Sequence, residues 1–249
     1  MNDATPPLNV TQLNARLAQV AAALSIPVAR ARVMLCTLIV SQMLPDAVAV
    51  KGGMGVKLRF GERGTRATSD LDVSTRVRGE EFEQAFRARL AEGWGTVPAS
   101  KGAQRRNPDA HARKGLDGEL VQFGAYFGFG NLQPVELIDL EYQIAQKLHA
   151  VTDPTYVRAH DLVDLQLLWS AEPDLLVVQD LCVRTFGWRR QQAWPPLPLR
   201  PMDGWELAYA DARAETEIDG GTPVLPDVVA ARRWLERVIG LIVSSPAVD

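Results

Sequence analysis

Histidine and cysteine are scarce in this chain, with 3 and 2 copies in 249 residues, and the scarcity removes whole classes of chemistry. No HxxxH pair is present to hold zinc. Cys36 and Cys182 form neither a CxxC motif nor a disulfide framework, and Cys36, inside VMLCTLIV, reads as a small buried hydrophobe. Excess positive charge is also missing. The formal net charge is −3, so any contact with a polyanion must come from a local basic patch. The most apolar stretch, 33–50, is broken by Ser41, Gln42, Pro45 and Asp46, and a membrane span is not expected. The N-terminus has no basic region followed by an apolar core, so no secretory signal is expected and a cytoplasmic protein is the default. There is no internal repeat and no low-complexity tract.

What is present is a globular composition, 47% hydrophobic and 23% charged, long enough for one large domain or two ordinary ones. Apolar spacing predicts helices over 9–25, with Thr11 as N-cap, and over 28–43, ended by Pro45. AVAV at 47–50 reads as a buried strand and SDLDVSTRV at 69–77 as a half-buried one. A helix follows at 79–92, with Phe82, Phe86 and Leu90 four residues apart. GWGTVPAS, ELVQFGAYFGF and QPVELIDL read as three further strands, and 101–118 as a polar, basic loop. From 139 the pattern turns helical, with segments at 139–151, 155–170, 173–186, 203–215 and 225–244 and a proline-rich linker at 194–201. The expected fold is α+β: a mixed sheet with flanking helices over 1–138, then a helical part over 139–249.

Three stretches carry chemistry. In KGGMGVK, Gly52 and Gly53 follow an apolar strand, where glycine permits close backbone approach and exposed amides can hold phosphate oxygens. Lys57 lies four residues beyond Gly53 and can reach the same anion, although neither the P-loop nor the GxGxxG spacing is present. The glycines alone read equally well as a turn. In SDLDVS, Asp70 and Asp72 are two apart, so on a strand both carboxylates share a face and can converge on one cation. Magnesium suits such a pair, since it is usually held by one or two carboxylates plus substrate phosphates. Taken alone, a DxD is as readily the solvent face of an edge strand. In LEYQIAQKLHAVTDPTYVRAHDLVDLQLL, Arg158, Asp161 and Asp164 recur every three residues and share one helix side, where the plain reading is an exposed Arg–Asp pair worth little.

Together, VKGGMGVKLRFG (50–61), RATSDLDVS (66–74) and IAQKLHAVTDPTYVRAHDLVDL (144–165) resemble the AbiEii/MenT family, nucleotidyltransferase-fold toxins of type IV toxin–antitoxin systems. The resemblance implies a nucleotidyltransferase-like core and a magnesium-dependent transfer of a nucleotide from a nucleoside triphosphate to an RNA acceptor, with transfer RNA leading. It also implies a cognate antitoxin. By position, Asp70 and Asp72 would ligate the metal, and Gly52, Gly53, Lys57 and Thr68 would surround the nucleotide. Lys147 would hold the triphosphate, and Asp161 would be the second essential acidic position, aiding the attacking hydroxyl. A third carboxylate would be Glu136 or Asp139.

Two departures stand out: Met54 where the family tends to carry threonine or serine, and His160 in place of an arginine before Asp161. Met54 favours an alternative, a catalytically silent binding partner of the same fold. A further alternative acts on a protein or small molecule. Arg105, Arg106, Arg113, Lys114, Arg184, Arg189 and Arg190 are the candidate basic patch. The carboxylates of Asp70, Asp72 and Asp161 and the amine of Lys147 are expected to line one cleft.

Overall fold

The computed structural model describes residues 5–62, 64–93, 112–115, 118–129, 132–199, 202–216 and 224–245. The chain divides into two compact units, Met1–Glu62 with Thr68–Ile138, and Arg63–Ala67 with Asp139–Asp249. The fold is α+β, with a small mixed sheet, flanking helices and a helical C-terminal part.

The first unit opens with α1 (Val10–Ala23) and α2 (Val28–Gln42). The cap of α1 is Asn9, not Thr11: the Asn9 side chain accepts from the Gln12 amide, and Thr11 lies inside the first turn. Next come β1 (Val48–Val50), α3 (Gly52–Phe60), β2 (Val73–Thr75) and α4 (Gly79–Glu92). β3 (Ala112–Gly115), α5 (Gly118–Tyr126) and β4 (Val135–Ile138) complete the unit. The sheet order is β2-β1-β4-β3, with β1 parallel to β4 and antiparallel to β2. Central β1 is nearly all apolar, and Val48 and Val50 are buried, as expected for a strand flanked on both sides.

Further sequence expectations fail in this unit, among them Cys36, read as a small buried hydrophobe but exposed. ELVQFGAYFGF is mostly the helix α5, not a strand. Its buried residues Leu120, Phe123 and Phe127 are spaced by three and four, a helical period that the glycines and aromatics obscured. Residues 112–115, read as loop, form a strand that pairs antiparallel with β4, Arg113 opposite Leu137. The strand expected over 69–77 shrinks to Val73–Thr75. GWGTVPAS at 94–100, and the loop expectation over 101–111, lie outside the described residues.

The second unit is helical: α6 (Leu140–Val151), α7 (Ala159–Trp169), α8 (Leu175–Arg189), α9 (Trp205–Ala214) and α10 (Val228–Ser244). α6 packs on α7 and α8, and α10 touches α7, α8 and α9. Their apolar stripes meet in a core that includes Ile144, Leu148, Leu162, Leu165, Cys182 and Leu235. α7 starts later than expected. Asp153 accepts from the Thr155 amide at 2.8 Å, so Asp153-Pro154 forms a turn and the helix opens only at Ala159. The Asp174 side chain accepts from the amides of Leu176 and Val177 and caps α8, which ends at Arg190 in the left-handed conformation. No single helix among the described residues is long and apolar enough to cross a membrane.

Candidate active site

In the first unit the glycine motif and the DxD meet at one end of the β1–β2 ladder. The Lys51 amide donates to the Asp72 carbonyl at 2.9 Å, carrying the pairing one step past Val50 and Val73. Asp72 therefore lies where β1 gives way to α3. Gly52, the first residue of α3, has φ +65, and a Cβ on it would collide with Asp72 Oδ2. Only glycine combines that dihedral with the approach of the carboxylate. Asp70 and Asp72 are both exposed and lie just before β2, and the Ser69 hydroxyl donates to Asp70 Oδ1 at 3.2 Å.

Among the described residues no three His, Cys, Asp or Glu side chains form a metal-ligand group, so Glu136 does not complete one with Asp70 and Asp72. Two solvent-facing carboxylates fit magnesium, which takes its remaining oxygens from phosphate and water.

The rest of the glycine motif differs from a phosphate loop. Gly52 and Gly53 begin a nine-residue helix that runs to Phe60. Met54 is fully buried within the unit, and so is Lys57, whose Nζ donates to Glu62 at 2.8 Å. Arg30 also pairs with Glu62, both through its side chain and through the carbonyl. The Lys57 amine is thus engaged inside the unit, while the N-terminal end of α3 faces Asp72. Thr68 is half-buried.

The second unit buries four charges together. Lys147 on α6 donates to Asp161 Oδ1 at 2.7 Å and to Asp164 Oδ2 at 2.6 Å. Arg66 holds Asp164 in a two-pronged bond, Nε and a terminal nitrogen each 3.0 Å from a carboxylate oxygen. Exposures of 6% for Lys147, 2% for Asp161 and 1% for Asp164 overturn the exposed-face reading of α7. Two cations against two anions leave the cluster neutral, which is how such burial is tolerated.

Burial alone would lower the Lys147 pKa, but Asp161 and Asp164 outweigh it and hold the ammonium above its ordinary value. Burial would likewise raise Asp164, yet Lys147 and Arg66 keep its carboxyl below the usual carboxylate range. Lys147, Asp164 and Arg66 are therefore charged at neutral pH, Arg66 with its pKa raised despite burial.

The hydrogen-bond inventory is incomplete in an informative way. An ammonium has three donors, and Lys147 spends two. Asp161 Oδ2 is buried without a hydrogen-bond partner among the described residues, although Arg158 lies 3.5 Å away. His160 Nε2 is 3.7 Å from Asp161 Oδ1, and burial lowers its pKa, so the imidazole is neutral near pH 7. Among the described residues, one ammonium hydrogen of Lys147 and Oδ2 of Asp161 have no hydrogen-bond partner, and Arg158 is the cation nearest that oxygen.

Each unit assembles one part of what the sequence expected. Gly52 and Asp72 come together in the first, with Asp70 two residues before Asp72. Lys147 and Asp161 come together in the second. Sequence reasoning missed Arg66 and Asp164 as members. Asp164 carried a signal in its shared face with Asp161, but Arg66 is 98 positions from Asp164 and no periodicity could join them. Arg105 and Arg106 lie outside the described residues.

No curated protein matches the chain. Residues 117–231 match the model of a family described as nucleotidyl transferase AbiEii toxin, type IV TA system. The matched span contains Lys147, Asp161 and Asp164 but begins after the DxD. The match bears out the resemblance read from the motifs over 117–231, which is less than half of the chain.

Proposed function

We propose that this protein is a magnesium-dependent nucleotidyltransferase that moves a nucleotide from a nucleoside triphosphate to a hydroxyl of RNA, with transfer RNA the leading acceptor. The observation that carries the reading is Lys147, buried between Asp161 and Asp164 inside the family-matched span, with one donor to spare. A buried ammonium held by two carboxylates does more than stabilise the fold, since apolar side chains could fill the same space at no greater cost. In this reading it supplies a fixed positive charge to a phosphate oxygen.

In this reading the acceptor hydroxyl attacks the α-phosphorus. A new P–O ester bond forms, the bond from the α-phosphorus to its bridging oxygen breaks, and pyrophosphate leaves. Asp161 accepts the hydroxyl proton and Lys147 neutralises phosphate charge. Asp70 and Asp72 would hold magnesium, which when bound supplies further neutralisation. Gly52 keeps the end of α3 clear beside Asp72, and Gly53 and Thr68 border the nucleotide. Lys57 supports α3 from inside. As a toxin of its family the protein would have a cognate antitoxin, and its place of action would be the cytoplasm.

The test is incubation of the purified protein with labelled nucleoside triphosphates, magnesium and total RNA. Label is expected on RNA with the wild type and not with Asp70→Ala or Lys147→Met. Label on protein or metabolite, with RNA untouched, would replace the acceptor. No transfer with any nucleotide would favour the silent form. Met54, the feature that suggested silence, has its side chain in the core.

A further inference from the structure

Trp188 is 82% exposed, on the last turn of α8. The other described tryptophans are all placed: Trp169 and Trp234 meet edge to face, Trp194 packs on Phe186, and Trp205 is buried. Trp188 has no aromatic partner among the described residues. Beside it is Gly187, where an added Cβ would meet nothing within 4 Å. Packing therefore does not ask for glycine there, and glycine weakens a helix interior. What it leaves is bare, approachable backbone next to the indole.

Arginines stand close to this feature in the sequence. Arg184, one turn earlier on the same helix side, is exposed and pairs only with exposed Asp180. Arg189 points towards His149, 3.4 Å from its Nδ1. Arg190 is exposed and has no anionic partner among the described residues. Over 180–192, three arginines face one aspartate.

We propose that this end of α8 binds an unpaired stretch of RNA, with one base stacked on Trp188 and flanking phosphates held by Arg184 and Arg190. The inference rests on the acceptor being RNA. Charge complementarity selects the occupant. A protein partner would want apolar neighbours around the tryptophan, and here its exposed neighbours along the chain include Arg184, Arg189 and Arg190, with Val183 exposed on the same helix. Single-stranded nucleic acid offers both a π-face and a negative backbone, and stacking is tolerant of sequence. It also answers the chain's overall charge of −3, because a small basic patch with an aromatic anchor concentrates the contact.

The experiment uses the full chain without nucleotide or magnesium, and reads binding of a fluorescein-labelled, unstructured 12-nucleotide RNA by anisotropy across a salt series. Trp188→Ala is expected to weaken binding about tenfold or more, and Trp188→Phe to retain most of it. Arg190→Gln is expected to lower the slope of log K against log salt by about 0.7. All three variants lie on solvent, so their melting temperatures should match the wild type, which separates lost contacts from lost folding. Wild-type affinity in Trp188→Ala would overturn this inference and leave the RNA acceptor standing. A wild type that neither binds RNA nor labels it would overturn both.

Discussion

Gly52 shows how one residue type can be dictated twice. Its φ of +65 strains any side chain, and the space a Cβ would need is taken by the carboxylate of Asp72. Gly52→Ala is expected to cost about 1–2 kcal/mol from the dihedral alone, and to push Asp72 out of place. The signature is an uneven loss: a melting point lowered by a few degrees, with nucleotide transfer down more than tenfold. If transfer falls no further than the folded fraction does, Asp72 is not tied to the reaction. Lys57 and Met54 teach the opposite lesson at the same scale. Both sit in the motif that looked like a phosphate loop, and both are buried, because the motif continues as α3. Only the first residues of a helix present free amides. A lysine five positions further on has turned away towards Glu62.

Among elements, α6 and α7 depend most on electrostatics. Lys147 joins them through Asp161 and Asp164, and Arg66 closes the cluster from a segment far away in sequence. Asp164→Asn would leave Lys147 and Arg66 facing a neutral amide. Breaking such a buried pair costs about 3–5 kcal/mol, read as a drop in denaturant midpoint at pH 7. The pH profile gives a second readout. Because the native pKa of Asp164 is depressed, its contribution is present above the ordinary carboxylate range and is lost as pH falls through the native value. Asp164→Asn should therefore remove part of the acid limb below about pH 4.

A separate, milder decline below about pH 6.5 belongs to His149, whose pKa burial and then Arg189 lower, together with His160, lowered by burial, and it should survive the substitution. An acid limb unchanged in Asp164→Asn would mean that the cluster does not hold the helices. These elements were also the most legible in sequence. α6, α9 and α10 were found within a few residues because their apolar stripes repeat over three turns or more. α5 was misread because three apolar anchors in nine residues suit either period once glycine and phenylalanine fill the gaps. β3 is four residues long, and only its pairing with β4 makes it a strand.

For the whole molecule, the proposed reaction needs a contribution from each unit: carboxylates at Asp70 and Asp72 from one, an ammonium and a carboxylate at Lys147 and Asp161 from the other. The family match covers the second set alone, so the first rests on its motif and on its geometry beside Gly52. Arg66, bound to Asp164, precedes Asp70 by four residues in the chain. That arrangement was visible in the sequence only as the spelling RATSDLD, with nothing to say that its arginine belonged with a helix 98 positions on.

Joint participation has a kinetic signature. Groups that act as a unit are grossly non-additive, because removing any one already forfeits what the others supply. Asp70→Ala and Lys147→Met should each reduce transfer by roughly the same large factor, and the double variant should be scarcely slower than either. Two independent contributions would instead multiply. A double variant whose loss equals the product of the single losses, with each single protein folded by near-ultraviolet circular dichroism, would separate the DxD from the buried lysine and assign the chemistry to one unit alone.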